Sequence, residues 1–288
     1  MNSIINKLPI TRFKLSIARV LFHLVKPIYG VKKRIIKRNG LNFEIDITEG
    51  LDLSLFLFGN FQKHVTENKY LDLPEDAVIF DVGANVGIMS LYFAKKVPNG
   101  RVYAFEPTHY AFQKLQRNLE LNRKIAQTIH IEQTFVSSED KKEQEIKAFS
   151  SWKIDKEVGS DQHPIHGGKA MSTEGIPTTT IDEFIKEKNI TRLDFIKIDT
   201  DGHEFDVLSG ARRTIEKFKP QLIFELGQYV MKERGIKFMD YERFFGELNY
   251  KLSNAANNKS ISNSNHLKIV PEKGTIDVLA LPFLKIKT

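Results

Sequence analysis

Residues 77–107 read AVIFDVGANVGIMSLYFAKKVPNGRVYAFEP, and the reading of this stretch decides the fold. Residues 77–82 are a short apolar run closed by a glycine loop, the pattern of a strand buried in a parallel sheet. Residues 88–96 have the length and spacing of a helix. Pro98, Asn99 and Gly100 break that helix, and a second strand over 101–106 ends on Glu106, just before Pro107. The sum is a βαβ half-unit. A glycine loop opening a helix lets backbone N–H groups face a ligand, and a carboxylate ending the next strand can accept hydrogen bonds from a ribose diol. An adenosine-containing cofactor is therefore expected.

Spacing narrows the choice of cofactor. The dinucleotide fingerprint requires glycines at relative positions 0, 2 and 5. Counted from Gly83 the chain offers Gly83, Asn85 and Ile88, so a pyrophosphate site is not expected. What stands there is Asp81-x-Gly83-x-Asn85-x-Gly87, with an acid two residues ahead of the loop. Asp81 would repel phosphate and suits the cationic amino-acid end of S-adenosylmethionine. In these residues the chain resembles the class I methyltransferases, and DVGANVG with FEP resembles the FkbM family in particular. Residues 195–211, FIKIDTDGHEFDVLSGA, resemble the second FkbM signature, with Asp201 where the family's turn normally carries Glu. That exchange shortens the side chain by one methylene and keeps the charge. The resemblance spans roughly residues 50–227. It implies an α/β fold of the class I methyltransferase (Rossmann-like) type, a doubly wound seven-stranded sheet, with S-adenosylmethionine as cofactor.

Outward from this centre, the N-terminal segment differs in charge from everything else. Residues 1–38 hold ten of the 43 Lys and Arg and none of the 36 Asp and Glu. The remaining 250 residues thus carry 33 basic against 36 acidic side chains, and the formal net charge of +7 belongs to the N-terminus. Within it Arg12, Ser16, Arg19, His23 and Lys26 recur at helical spacing, with Phe13, Ile17, Val20, Leu21 and Leu24 between them. This is a basic amphipathic helix. Arg19 and His23 interrupt any secretory core, and no run approaches the ~20 apolar residues of a spanning helix. Two readings stay open: an arm packing on its own domain or on a homodimer partner, or a helix lying on an anionic membrane surface. Nucleic acid is not expected as a partner, because aromatic interleaving is absent. The chain has no cysteine, so a disulfide, a Cys-zinc site or a thiol nucleophile is excluded. A cytoplasmic location is expected, with the arm peripheral to the inner face of the membrane under the second reading.

Three segments follow from these patterns: a basic arm over 1–38, a hairpin and helical lead-in over 39–75, and a Rossmann-like domain over 76–288. Asn39-Gly40 between alternating apolar residues signals a two-residue hairpin. A helical stretch is expected over 51–68. Where the family carries Gly-x-Tyr-Glu this chain has Gly59-Asn60-Phe61-Gln62, which makes Gln62 a weak cofactor candidate. Past the βαβ unit the spacing predicts a helix over 111–122, a strand over 129–136, a strand near 144–149, and a capped helix from Thr180 to Lys188. A strand over 194–199 and a helix to about Phe218 come next, then a strand over 221–226. A helix capped by Asp240 and strands over 250–253 and 276–281 complete the sheet. The Asn/Ser-rich residues 254–264 read as a mobile loop.

The candidate site residues fall at the strand ends. For the cofactor these are Asp81, Gly83, Asn85, Gly87, Glu106 and Asp199, with Val136 and Ser137 on the adenine side, as the resemblance implies. His203 is the first choice of catalytic base because of its unperturbed pKa, with Asp199 or Glu204 as replacements. Asp201, Glu225 and His166 are expected at the acceptor. No metal is expected, since nothing in the spacing demands one. The resemblance implies O-methylation of a hydroxyl, that of a sugar in a glycan, glycolipid or natural product. Two other readings are a non-catalytic cofactor-binding module docking on membrane or nucleic acid, and an N-methyltransferase of protein or nucleic acid. The latter usually carries a Pro-Pro-aromatic turn after strand four, where this chain has Thr200-Asp201-Gly202.

Overall fold

The structure is a computed structural model that describes residues 11–59, 62–139, 148–150, 169–171, 173 and 175–283, the side chains of 11–18, 148–150 and 169–170 excepted. Its centre is a seven-stranded sheet, labelled in chain order β1 (Val78–Val82), β2 (Arg101–Phe105), β3 (Ile129–Glu132), β4 (Phe195–Ile198), β5 (Gln221–Gly227), β6 (Tyr250–Asn254) and β7 (Thr275–Pro282). The spatial order is β6-β7-β5-β4-β1-β2-β3. From β5 to β3 neighbouring strands pair in parallel, and β7 runs antiparallel to both β5 and β6. The strand order reverses between β1 and β4, which places a crevice at their carboxyl ends. This is the doubly wound, seven-stranded arrangement that the resemblance to class I methyltransferases implies.

Packing explains the strand composition. Phe80, Phe195, Ile196, Leu222 and Leu279 are all fully buried, as expected where helices cover both faces of the sheet. On one face Phe224 stacks on Tyr241 and Phe245, and Phe80 meets Phe105 and Phe184 edge-on. Aromatic pairs in these geometries add ~0.5–1.5 kcal/mol each beyond their area.

The hairpin forms as read, with Arg34–Arg38 paired to Leu41–Ile45 and Asn39 and Gly40 both at positive φ, as a type I′ turn requires. The boundary expected after residue 38 therefore cuts through one unit. Leu41, Phe43 and Ile45 pack in the same cluster as Ala104 and Leu115, so the hairpin lies on the body of the domain.

Several elements are shorter or more divided than the spacing suggests. The lead-in helix ends at Phe58, closed by a left-handed Gly59, and resumes as a single turn over Lys63–Thr66. The third strand stops at Glu132, because Phe135–Val136 leave the sheet to pair with Thr178–Thr179. The strand expected near 144–149 is described only from Ala148, paired with Lys169–Met171. The long helix after β4 is two helices, Glu204–Ser209 and Arg212–Phe218. Helix Gln228–Arg234 was not anticipated. Thr180 caps its helix by accepting the Glu183 N–H at 3.1 Å, whereas Asp240 sits inside its helix and accepts the Lys237 N–H at 2.8 Å. Residues 254–264 are held by their own hydrogen bonds, among them Asn258 N–H to the Asn254 carbonyl at 2.7 Å, in place of the loose loop expected from composition.

Gly210 shows why the split could not be read locally. A Cβ there would lie 2.1 Å from the Ser137 carbonyl oxygen, so the segment after Ser137 passes against the helix break with no room for a side chain. Gly210→Ala, at an ordinary negative φ, should therefore destabilise the fold by about 1–3 kcal/mol through overpacking alone. Urea unfolding checks this; an unchanged midpoint would show that the backbone yields freely.

Candidate active site

The site begins with a buried charge in the sheet. Lys197 on β4 lies in register with Asp81 on β1, and both are buried. The Lys197 ammonium donates to the Gly83 carbonyl at 2.8 Å and lies 3.2 Å from Asp81 Oδ1 and 3.9 Å from Asp199 Oδ2. Burial alone would lower its pKa, but the carboxylates of Asp81 and Asp199 outweigh burial and raise it. Ser90 donates to the other Asp81 oxygen at 2.6 Å. Asp81, expected to meet a cationic ligand, thus has its cation within the chain. Lys197 was missed by the sequence reading, although a lysine inside the apolar run FIKI was the signal, because a charge there needs a buried partner.

The glycine loop is shaped by the chain itself. Gly83 (φ 76°) faces the Asp199 carbonyl so closely that a Cβ would stand 1.8 Å from that oxygen. A Cβ on Gly87 (φ 80°) would stand 3.1 Å from the Leu115 side chain. Glu106, just past β2, accepts from the Asn85 N–H at 3.0 Å and from the Thr108 N–H and hydroxyl at 2.8 and 2.5 Å. Burial raises its pKa, and these donors, Thr108 first, oppose the rise.

A crevice open to solvent lies against these residues, lined by Gly83, Asn85, Glu106, Asp199 and Asp201 together with Thr134 and Phe135. The adenine-side pair expected at Val136 and Ser137 lies behind it: Val136 belongs to the core, and Ser137 is fully buried with its N–H on the Thr179 carbonyl. Nothing local in the sequence singles out Thr134 and Phe135, because their place follows from the pairing of 135–136 with 178–179.

After β4 the chain turns through Asp201 (φ 50°) and Gly202 (φ 109°), both left-handed. Buried Glu204 clamps this turn, one carboxylate oxygen accepting from the Thr200 N–H (2.9 Å), the Thr200 hydroxyl (3.1 Å) and the Gly202 N–H (3.1 Å). Glu204 thereby holds the turn rather than facing the crevice. A left-handed aspartate costs strain and is worth a functional question. Burial, then Asp199, Glu204 and Glu106, push the Asp201 carboxyl well above the usual range. Burial also raises Asp199, against the opposing pull of Lys197, and Gln62 donates to Asp199 at 3.4 Å. Glu225 on β5 accepts from Thr275 at 2.7 Å and is raised by burial and by the neighbouring acids. One oxygen each of Asp199, Asp201 and Glu225 lie within 4.8 Å of one another, close enough to hold a divalent cation, an option that the spacing leaves open without demanding it.

His203 is not brought to the crevice. It is 3% exposed, stands edge-on to Phe135, takes a hydrogen bond from Arg234 at Nε2 and faces Asp206 at 3.4 Å from Nδ1. His166 lies outside the described residues.

Residues 81–252 match the family described as the methyltransferase FkbM domain, and the chain belongs to that family. Among curated relatives, Methyltransferase 1 of Beauveria bassiana is 30% identical over 151 residues, 48% of this chain and 59% of that protein. Hexuronic acid methyltransferase AglP of Haloferax volcanii is 27% identical over 150 residues, 50% of this chain and 54% of that protein. The matches thus span little more than half the length of these two relatives. A solved FkbM methyltransferase from Methylobacillus flagellatus KT is 18% identical, with a TM-score of 0.46, covering 73% of this chain and 45% of that one.

The methyl donor of this family is S-adenosylmethionine, and the residues present fit it. Glu106 lines the crevice, with one carboxylate oxygen taking a single hydrogen bond from the Asn85 N–H. Two buried amide oxygens, Gln62 Oε1 and Asn85 Oδ1, have no hydrogen-bond partner and suit a donor-bearing ligand. The Lys197–Asp81 pair should support this whole arrangement. Lys197→Met leaves a buried carboxylate unpaired and should cost ~3–5 kcal/mol in unfolding, while Asp81→Asn in the same chain should recover a large part. Additive losses in that double-substitution cycle would dissolve the pair as an energetic unit.

Proposed function

We propose that this chain transfers a methyl group from S-adenosylmethionine to a hydroxyl of a sugar or of a related glycan or small-molecule acceptor. The observation that carries the reading is Asp201, a carboxylate lining the crevice beside Asp199 on a turn clamped by Glu204. The bound donor supplies a methyl group on a sulfonium, open to direct displacement by an aligned nucleophile. The chain's task is then alignment and removal of one proton. Glu106 holds the ribose, and the loop from Gly83 to Gly87 lets the donor approach the backbone. Lys197 and Gln62 fix Asp199 in place, which leaves Asp201 to take the acceptor's proton and Glu225 to hold a neighbouring hydroxyl. A crevice with three carboxylates favours a neutral acceptor group over an anionic one. The Haloferax relative, named for hexuronic acid, supports a sugar as acceptor, and the charge of this crevice favours a hydroxyl of such a sugar over its carboxylate.

Two substitutions test the assignment. Glu106→Gln should weaken binding of the demethylated cofactor roughly ten- to a hundredfold, the worth of a charge-assisted hydrogen bond, because an amide accepts less strongly than a carboxylate. Undiminished affinity by calorimetry would sink the ribose role. Asp201→Asn should lower turnover ~10²–10⁴-fold with cofactor affinity nearly intact, while a folded His203→Gln stays within a few-fold of the parent. The reverse pattern would return the base to His203. A second reading follows from the close approach of Asp199, Asp201 and Glu225, in which a divalent cation polarises the acceptor oxygen. Activity lost on chelation and restored by Mg²⁺ would favour it.

A further inference from the structure

The helix Thr11–Tyr29 meets the body along one face and leaves another uncovered. Phe22 is 1% exposed and packs with Val25 into the cluster that holds the hairpin and the lead-in helix Gly50–Phe58. Val20, Leu24 and Ile28, four residues apart and hence on one line along the helix, are 60, 65 and 78% exposed. Two further exposed aliphatic residues, Val31 and Ile35, follow in the chain. A packed arm and an arm with a free apolar face are therefore the same object, seen from two sides.

Cations surround this face. Arg19, His23 and Lys26 form the adjacent line on the helix, Lys32, Lys33 and Lys37 follow, and residues 1–38 contain no acid. We propose that this surface docks on an anionic phospholipid bilayer, its aliphatic line entering the acyl boundary and its cations meeting headgroup phosphates. A basic amphipathic helix lying in the interface uses this combination of apolar line and basic flank. The signs of charge decide against a second copy. A symmetric dimer through this patch would set two acid-free, strongly basic segments against each other. Nucleic acid would satisfy the cations and leave the aliphatic side chains without a partner. No helix among the described residues is long and apolar enough to cross a membrane, so the contact is one of lying on the surface.

The arm is tied to the rest of the molecule. Tyr29 packs edge-on to Phe56 at 4.9 Å, and Arg38 donates to the Leu55 and Phe56 carbonyls of the lead-in helix. Beyond that helix, Gln62 reaches Asp199 in the crevice. Docking would therefore fix the attitude of the crevice to the lipid surface, and it would hold whether or not the chemistry proposed above is right.

Co-sedimentation of the full chain with phosphatidylcholine vesicles, with and without phosphatidylglycerol, tests the proposal. Binding is expected to phosphatidylglycerol-containing vesicles at about 0.1 M salt, at least tenfold weaker to phosphatidylcholine alone, and reduced as added salt shortens the Debye length. Leu24→Asp with Ile28→Asp should abolish it, and Lys32→Gln with Lys33→Gln should weaken it tenfold or more. All four positions are exposed, so an unchanged melting temperature and unchanged cofactor binding separate lost docking from lost fold. The proposal fails if the full chain ignores anionic vesicles at low salt, or if the Leu24 and Ile28 double variant still binds them. It also fails if light scattering shows a dimer that this variant turns into a monomer, for then a second copy is the occupant.

Discussion

The pairing of Lys197 with Asp81 across β4 and β1 is the constraint on which the rest of the site depends. Both charges sit in the interior of a parallel sheet at the point where the strand order reverses. Desolvating two ions costs several kcal/mol each, so such a pair is weak evidence for stability in itself. Its effect is positional. The same ammonium that neutralises Asp81 donates to the Gly83 carbonyl and approaches Asp199, so one cation fixes the glycine loop and the carboxylate across the crevice. A Cβ on Gly83 would collide with the Asp199 carbonyl, which shows how closely the two loops meet.

From that fixed point the acids of the crevice fall into distinct tasks according to their partners. Glu204 spends one oxygen on three donors of its own turn, and Glu106 spends its oxygens on Asn85 and Thr108. Asp199 is shared between Lys197 and Gln62. Asp201 has none of these fixed bonds, and burial with neighbouring acids raises its affinity for a proton. A base for an alcohol needs a proton affinity nearer neutrality than an ordinary carboxylate possesses. Crowding acids around a single lysine moves Asp201 in that direction, which is the physical basis for proposing it ahead of an imidazole.

What could be read in the sequence was what depends on short range. Asn39-Gly40 specifies its hairpin because two left-handed residues in sequence have few other uses, and residues 77–107 specify the βαβ unit because strand, glycine loop and helix each carry their own pattern. Glu106 and the turn over 199–202 fall where the motif puts them, at the carboxyl ends of β2 and β4. The failures share one cause. The break at Gly210 answers to the Ser137 carbonyl, and Phe135–Val136 leave the third strand for a partner more than forty residues away. His203 looked apt by its intrinsic pKa, yet Arg234, thirty-one residues on, engages its Nε2. Pattern and propensity describe a residue's neighbours in sequence, and each of these places is decided by a neighbour in space.

Lys197 neutralises Asp81 from within the chain, and Gln62 is the second place where a side chain of this site is matched to the charges around it. Gln62 stands where the resemblance read from the sequence implies an acid. Near Asp199, Asp201, Glu225 and Asp277, another carboxylate would add repulsion in a buried space, whereas the amide donates to Asp199 and lowers its proton affinity. The exchange leaves Gln62 Oε1 buried without a donor, as Asn85 Oδ1 is on the glycine loop. A buried acceptor left unsatisfied costs about 1–3 kcal/mol, and that cost is removed when a donor arrives. An ammonium carries three donors and no acceptor. Two orphaned amide oxygens, one on the lead-in segment and one on the glycine loop, are thus neutral acceptors that a donor-bearing group such as an ammonium would satisfy.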